Sequence, residues 1–174
     1  MSLKDKIKAG KFVILEEFEP PKGADFSSFL NNANLVKGRV DAFIVPEMAN
    51  AVMKAGSLGG CAFLQNQVFE TVLQACCRDR NRLALQADIL SAGALGINNI
   101  MAVPGEDIQN GDHPKARTVN DLDLIELLQT IQALQKGKDL FQSIQVEPGM
   151  DLIHLEEVLV LIGDFKPPNG FEPK

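Results

Sequence analysis

Residues 71–107, TVLQACCRDRNRLALQADILSAGALGINNIMAVPGED, contain the pattern that decides the fold. An apolar run at 71–76 is followed by helically spaced apolar residues at 82–95, and a second apolar run follows at 97–103. Parallel strands need a crossover of a dozen or more residues, which is usually helical. The stretch therefore predicts two parallel strands joined by a helix.

The same alternation of strand and helix extends in both directions from this unit. The further predicted elements are strands at 11–15, 41–45 and 143–146, helices at 24–36, 49–66 and 122–135, and a helix or strand within 152–162. The first strand is a continuous apolar run, which is typical of a strand buried on both faces. The pattern predicts an α/β fold of about five strands, with a parallel sheet and helices packed outside it.

The composition and charge of the chain exclude some classes of function. The 174 residues, 45% of them hydrophobic, suit one globular domain. The net charge is -6 and the basic residues are scattered, so a nucleic-acid partner is not expected. No apolar run approaches the roughly 20 residues that cross a bilayer, and the start resembles no secretory signal. We therefore expect no membrane association and a cytoplasmic location.

Charged side chains follow every predicted strand, at the edge where parallel α/β folds build their sites. In chain order they are Glu17 and Glu19, Glu47, Arg78 and Asp79, Glu106 and Asp107, and Glu147. One explanation is that acidic residues favour helix starts, whose dipole they complement. Glu17 favours a functional role, because it continues the face of Val13 and Leu15 toward the rim. A partly desolvated glutamate is a suitable general acid.

The remaining candidates are weaker. The chain has an odd number of cysteines, and two of the three are adjacent: Cys61, Cys76 and Cys77. We therefore expect reduced, buried thiols and no disulfide framework. No cysteine or histidine spacing predicts a metal site. Residues 78–81, RDRN, are read either as a helix cap with salt bridges or as ligand-facing groups. The long polar loop at 106–118 favours a functional role.

Several motifs together resemble the bacterial methylenetetrahydrofolate reductase family over about residues 10–148. They are EFEPP at 17–21, VLQACCRDRNR at 72–82, LQAD at 85–88, ALGINNI at 94–100, GDHPKA at 111–116 and DLD at 121–123. The resemblance implies a TIM-barrel-like fold in a single domain, of which residues 10–148 are about half a barrel and 149–174 a divergent tail. It also implies FAD as cofactor, NADH or NADPH as electron donor, and a folate or related pterin as substrate.

The resemblance also implies roles for individual residues. Glu17 stands where the family has its general acid. Gln74 stands where members carry a residue facing the flavin, and Glu106, after Gly105, replaces a family aspartate near flavin and folate. The further candidates for the cofactor are Gly105, Glu106, Asp107 and His113. Those for the substrate are Glu47, Arg78 and Asp79, with Glu106. Reduction of 5,10-methylenetetrahydrofolate to 5-methyltetrahydrofolate is the implied reaction.

Two departures from the family pattern keep a second hypothesis open. Pro46 and Pro104 stand where relatives carry other residues beside the ligands, and proline has no N–H to donate. The alternative is a non-catalytic subunit that binds folate or flavin. A barrel of this family has eight strands, so we also expect a homo-oligomer or a second subunit to complete the open side.

Overall fold

The computed structural model describes residues 1–140 and 153–154. The helices are α1 (Leu3–Lys8), α2 (Ser27–Leu35), α3 (Ser57–Gln65), α4 (Arg82–Ala94) and α5 (Leu124–Gln135). The strands are β1 (Leu15–Glu17), β2 (Ala42–Val45), β3 (Thr71–Cys76), β4 (Asn99–Val103) and β5 (Ile153–His154). Short 3-10 turns lie at Ala49–Ala51 and Ile108–Asn110.

The strands form one sheet in the order β1-β2-β3-β4-β5, and every neighbouring pair is parallel. This confirms the predicted parallel α/β fold. β1 and β5 are the outer strands of the described sheet, so the sheet is open and not a closed barrel. Because all strands point the same way, the loops that follow β1 to β4 meet at one edge, which we call the rim.

The outer face of the sheet carries the main core. Phe43 and Val45 from β2, Leu73 from β3 and Ile100 from β4 pack with buried residues of the helices. Phe18 stacks edge-on against Phe43 with ring centroids 5.1 Å apart. Two of these helices, α4 and α5, begin at side-chain caps: the Asn81 side chain accepts from Ala84 N, and Asp123 and Glu126 form a capping box. Burial of these apolar side chains holds the helices outside the sheet.

The inner face carries a smaller core that α1 covers. Leu3 of α1 is buried with Ala42, Ile44, Val72 and Met101. α1 starts at a capping box in which Ser2 and Asp5 bond each other's backbone N–H groups. This helix was not among the predicted elements, although the Ser-x-x-Asp spacing was a signal for it.

Three expectations about elements need correction or fall outside the described part. The first strand lies at Leu15–Glu17 and is not buried on both faces: Phe12 is 86% exposed, because β1 is an outer strand. The helix expected at 49–66 is a 3-10 turn followed, after an irregular stretch, by α3, since left-handed residues at Asn50 and Ala51 interrupt it. The strand expected at 143–146 lies outside the described residues, and the fifth observed strand is at 153–154.

No helix in the described part of the chain is both long and apolar enough to span a membrane.

Candidate functional site at the carboxyl rim

Glu17 ends β1 at the rim, and its carboxylate still reaches solvent. Its pKa is raised above the ordinary value, first because partial burial desolvates the carboxylate and second because the Glu106 carboxylate repels its charge. The structure therefore brings together two of the predicted site residues, one from the β1 end and one from the loop after β4. A carboxyl group with a raised pKa can donate a proton nearer to neutral pH than an ordinary glutamate.

Arg78 is the buried centre of the rim, with a side chain only 3% exposed. Its guanidinium donates to both Asp79 oxygens, from Nε at 2.7 Å and from one terminal nitrogen at 2.6 Å. It also donates to the carbonyl oxygens of Met48 at 3.3 Å and Glu106 at 3.2 Å. Arg78 thus ties the loops after β2, β3 and β4 together. Asp79 raises the pKa of Arg78 further, so the group stays charged.

Gly105 makes this packing possible. Its φ is +86°, and a Cβ there would lie 2.7 Å from both the Arg78 Cβ and the Cys76 Sγ. The close approach of Arg78 thus requires glycine, both for the left-handed backbone and for the space. Gly105 remains a candidate cofactor contact, but this packing already accounts for a glycine at the position.

Glu47 is deeply buried and engaged by the protein. Its carboxylate accepts from Ser57 N at 2.6 Å and pairs with Arg80 at 3.2 Å. Ser57 in turn donates to Val45 O at 2.6 Å and accepts from Gln74 N at 3.0 Å, so its hydroxyl bridges β2 and β3. The side chain of Glu47 is 6% exposed. Its predicted substrate contact remains a prediction, and the geometry gives it a structural role.

Gln74 lies on β3 opposite Met101 in the register, on the inner face. Its amide oxygen accepts from Glu47 N at 2.9 Å, which orients the amide.

Of the other candidate site residues, Asp107 accepts from Gln109 N at 2.9 Å and starts a 3-10 turn. His113 is exposed and its Nδ1 lies 2.8 Å from an Asp112 oxygen. Glu147 lies outside the described residues.

Residues 78–82 form caps and ion pairs. Arg80 pairs with Glu47 and with Asp88, the latter at 3.2 Å. Arg82 donates to both carboxylate oxygens of Asp121, at 2.9 and 3.0 Å. The structure shows the cap and the local salt bridges of the first hypothesis for this segment, and the ligand-facing role stays a prediction.

Sequence reasoning missed the connecting role of Asp112. Its carboxylate pairs with Lys22 and accepts from Met53 N at 2.9 Å, besides contacting His113. Lys22 follows β1, Met53 follows β2 and Asp112 follows β4. These bonds hold the pKa of Asp112 well below its usual range, with the Lys22 contact as the largest cause. The GDHPKA motif was the available signal, but the partners are too distant in sequence to be read from it.

The three cysteines are buried free thiols, as expected. Desolvation raises the pKa of Cys61 to about 12 and that of Cys76 to about 11, and it also raises the pKa of Cys77. Such thiols remain protonated at neutral pH and are poor nucleophiles.

Comparison with known proteins decides the family. The family model described as methylenetetrahydrofolate reductase matches residues 2–149. The chain belongs to the methylenetetrahydrofolate reductase family. The family fold is a TIM barrel, so the open parallel sheet corresponds to an incomplete barrel. No curated protein matches the chain.

Membership of the family supports a methylenetetrahydrofolate reductase-like function, that is, an oxidoreductase of folate one-carbon metabolism. The match includes the whole described rim from β1 to the end of the β4 loop. Glu17, Gln74, Glu106 and Asp112 therefore all lie in family sequence.

Proposed function

We propose that the chain is a flavin-dependent reductase, or a subunit of one, that converts 5,10-methylenetetrahydrofolate to 5-methyltetrahydrofolate with Glu17 as general acid. The observation that carries the proposal is the raised pKa of Glu17 beside Glu106 at the rim. Opening the methylene bridge breaks a carbon–nitrogen bond and leaves an amine nitrogen that needs a proton. A protonated carboxyl group at this edge can supply it.

The other rim residues support substrate binding in this proposal. The Glu106 side chain is 53% exposed, so it can accept hydrogen bonds from the N–H groups of a pterin. Arg78 bonds the Glu106 carbonyl at 3.2 Å and lies 3.4 Å from its carboxylate, which fixes the start of the loop. Asp79 orients Arg78 and would act on the substrate through it. Asp107 and His113 remain candidate contacts farther along the same loop.

The residues at the inner face fit the ring of a flavin. Gln74 has its amide oxygen bonded to Glu47 N, which leaves its NH₂ group as the donor for a ring acceptor. Bound FAD would supply the hydride, received from NADH or NADPH. The described arginines at the rim, Arg78, Arg80 and Arg82, are each paired with a carboxylate. The diphosphate of FAD would therefore rely on other groups.

That pairing of the arginines supports a second candidate function, a subunit that binds a folate or flavin without turnover. Pro104 adds to it, because it directly follows β4 at the rim and has no N–H to donate. In this case the carboxylates would still recognise a pterin. Ligand binding would then persist without oxidation of the nicotinamide.

The first experiment tests flavin and turnover together. Purified protein is supplied with FAD, and its visible flavin spectrum is recorded before and after NADH or NADPH is added. Bleaching of the flavin followed by reoxidation on addition of methylenetetrahydrofolate is the expected result. Absence of flavin binding, also with an added partner chain, would refute the reductase. Folate binding without NADH or NADPH oxidation would establish the second candidate.

A matched pair of variants tests the role of Glu17. Glu17→Gln should leave flavin reduction by the nicotinamide intact and slow reduction of the folate by about 10²–10⁴-fold, the usual contribution of general acid catalysis. Glu16→Gln is the control, because Glu16 is an exposed neighbour on the other face of β1. Equal folate turnover in the two variants would show that Glu17 is not the acid.

We also propose that further polypeptide, from a second copy or another subunit, covers the free edge of β1. Ile14 O accepts from Asp41 N, just before β2, and Phe18 N donates to Ile44 O of β2. The backbone polar groups of Leu15 and Glu17 therefore face the other way. Phe12 is 86% and Ile14 46% exposed beside that edge. An open cavity of about 340 Å³ lies between β1 and α2. Exposed strand edges with apolar neighbours favour pairing with another chain.

Light scattering coupled to size exclusion tests this association. An oligomer that Phe12→Ser dissociates is the expected result for a second copy. A monomer, alone and with the candidate subunit, would contradict the proposal.

The buried thiols agree with a reducing compartment, and we propose that the protein acts in the cytoplasm.

A further inference from the structure

Asp112 connects three loops that carry the rim residues. Its carboxylate pairs with Lys22 from the β1 loop and accepts from Met53 N of the β2 loop at 2.9 Å. Its side chain is 25% exposed and therefore partly shielded from water. A charge-assisted hydrogen bond to a backbone N–H in such a place is stronger than a neutral one.

The residue before Asp112 packs directly on the β2 loop. A Cβ at Gly111 would lie 1.9 Å from Ala51 O, so the two backbones are in contact. The β2 loop is itself strained, since Met48, Asn50 and Ala51 have φ of 51°, 54° and 55°. Left-handed conformations at such residues persist only where surrounding contacts hold them. Asp112 and Gly111 supply such contacts at one end of the β2 loop, and Arg78 supplies another at Met48 O.

The β4 loop, which runs from Pro104 to the start of α5, is therefore fixed at its start and near its middle. Arg78 bonds the Glu106 carbonyl at the start of the loop, and Asp112 bonds the β1 and β2 loops near its middle. Glu106 is itself the first of these attachments, and the charge of its carboxylate acts on Glu17. The freedom of Glu106 to move away from Glu17 depends on both.

We propose that Asp112 is a positioning residue that fixes the β4 loop on the β1 and β2 loops and so holds Glu106 beside Glu17. The inference rests on the proposed function for the roles of Glu17 and Glu106. Asp112 itself touches no reacting group. Its contribution is to keep two like charges close at the rim, which is unfavourable without a fixed loop.

The test measures the titration midpoint of the Glu17 carboxyl by ¹³C NMR, assigned with Glu17→Gln. Asp112→Ala should lower the midpoint, because a released loop lets Glu106 move away. In a Glu106→Gln background, Asp112→Ala should leave the midpoint unchanged, since the repelling charge is already absent. The control is Asp25→Ala, which removes an exposed carboxylate bonded to Ser27 and should leave the midpoint unchanged.

A midpoint that does not respond to Asp112→Ala would overturn the proposal. An equal fall in the Glu106→Gln background would also overturn it, since Asp112 would then act by its own field. If circular dichroism shows that Asp112→Ala is unfolded, Lys22→Met removes the ion pair but keeps the bond to Met53 N. A folded Lys22→Met protein with an unchanged midpoint would count against the proposal in the same way.

The titration requires no folate, flavin or turnover, so its outcome is separate from that of the proposed function. A midpoint that responds as expected in a protein without reductase activity would keep the positioning role and reject the function. An active reductase in which the midpoint does not respond to Asp112→Ala would keep the function and reject the positioning role.

Discussion

The carboxylate of Glu106 repels that of Glu17 and raises its pKa, although Glu17 ends β1, Glu106 follows β4, and β2 and β3 lie between these strands. Partial desolvation is the larger cause of the raised pKa, and Glu106 adds to it. The raised pKa makes Glu17 a suitable proton donor. The same desolvation and repulsion lower the free energy of unfolding when Glu17 is ionised.

Glu17→Gln is expected to stabilise the protein at neutral pH. A carboxyl group whose folded pKa is raised lowers the free energy of unfolding as pH rises through that pKa, and has no such effect below its unfolded pKa. Melting temperatures measured at several pH values should therefore show a gain for the variant near pH ~7 that vanishes near pH ~3. Glu16→Gln should show no comparable pH-dependent gain. An unchanged or lower melting temperature for Glu17→Gln at neutral pH would contradict the assigned burial and repulsion.

Gly105→Ala is expected to destabilise the protein by about 2–4 kcal/mol, because it adds a left-handed penalty to an overpacked contact. The new Cβ would lie 2.7 Å from Cys76 Sγ and from Arg78 Cβ. Gly59→Ala is the matched control, since Gly59 lies inside α3 with nothing within 4 Å of the added Cβ. That change should stabilise by about 0.5–1 kcal/mol. Urea unfolding compares the two, and equal effects would show that Gly105 is not closely packed.

Arg78→Met is expected to lower the free energy of unfolding by about 2–4 kcal/mol, because it leaves carbonyl and carboxylate acceptors without a donor. The acceptors belong to the loops after three strands, so amide exchange should increase at Met48 and Glu106 as well. Arg82→Met removes an ion pair whose two side chains are 35% and 32% exposed, and should cost less than about 1 kcal/mol. Similar losses for the two variants would indicate that Arg78 is more accessible to water than the structure shows.

The cysteines are expected to resist thiol reagents in the folded protein. Burial raises the pKa of Cys61 to about 12 and that of Cys76 to about 11, so little thiolate forms at pH ~8. A chromogenic disulfide reagent should react slowly with native protein and rapidly with all three thiols in denaturant. Fast stoichiometric labelling of one thiol without loss of structure would show that a cysteine is exposed at the rim.

The order and type of most elements followed from the sequence. The apolar runs at 71–76 and 97–103 have the pattern of buried parallel strands, and the helix between them has clear boundaries, since Asn81 caps it and Gly96 follows it. Errors arose where local pattern and tertiary environment differ. The apolar run at 11–15 reads as a buried strand, but its burial depends on a neighbour that the described sheet does not provide. The helix expected from Ala49 onward is broken because contacts with Gly111 and Arg78 hold left-handed residues in its place.

The sequence by itself determined the α/β class, the family resemblance and the set of charged residues that follow the strands, because strand and helix periodicities are local properties. Only the tertiary structure decided what each charge does. Glu47 pairs with Arg80, and Arg78 bonds Asp79 and backbone carbonyls. Glu17 and Glu106 are instead exposed to solvent, and the charge of Glu106 raises the pKa of Glu17. The sequence likewise does not show what Asp112 binds, since its partners Lys22 and Met53 come from other loops. Burial and pairing depend on distances through space, and a one-dimensional pattern does not contain them.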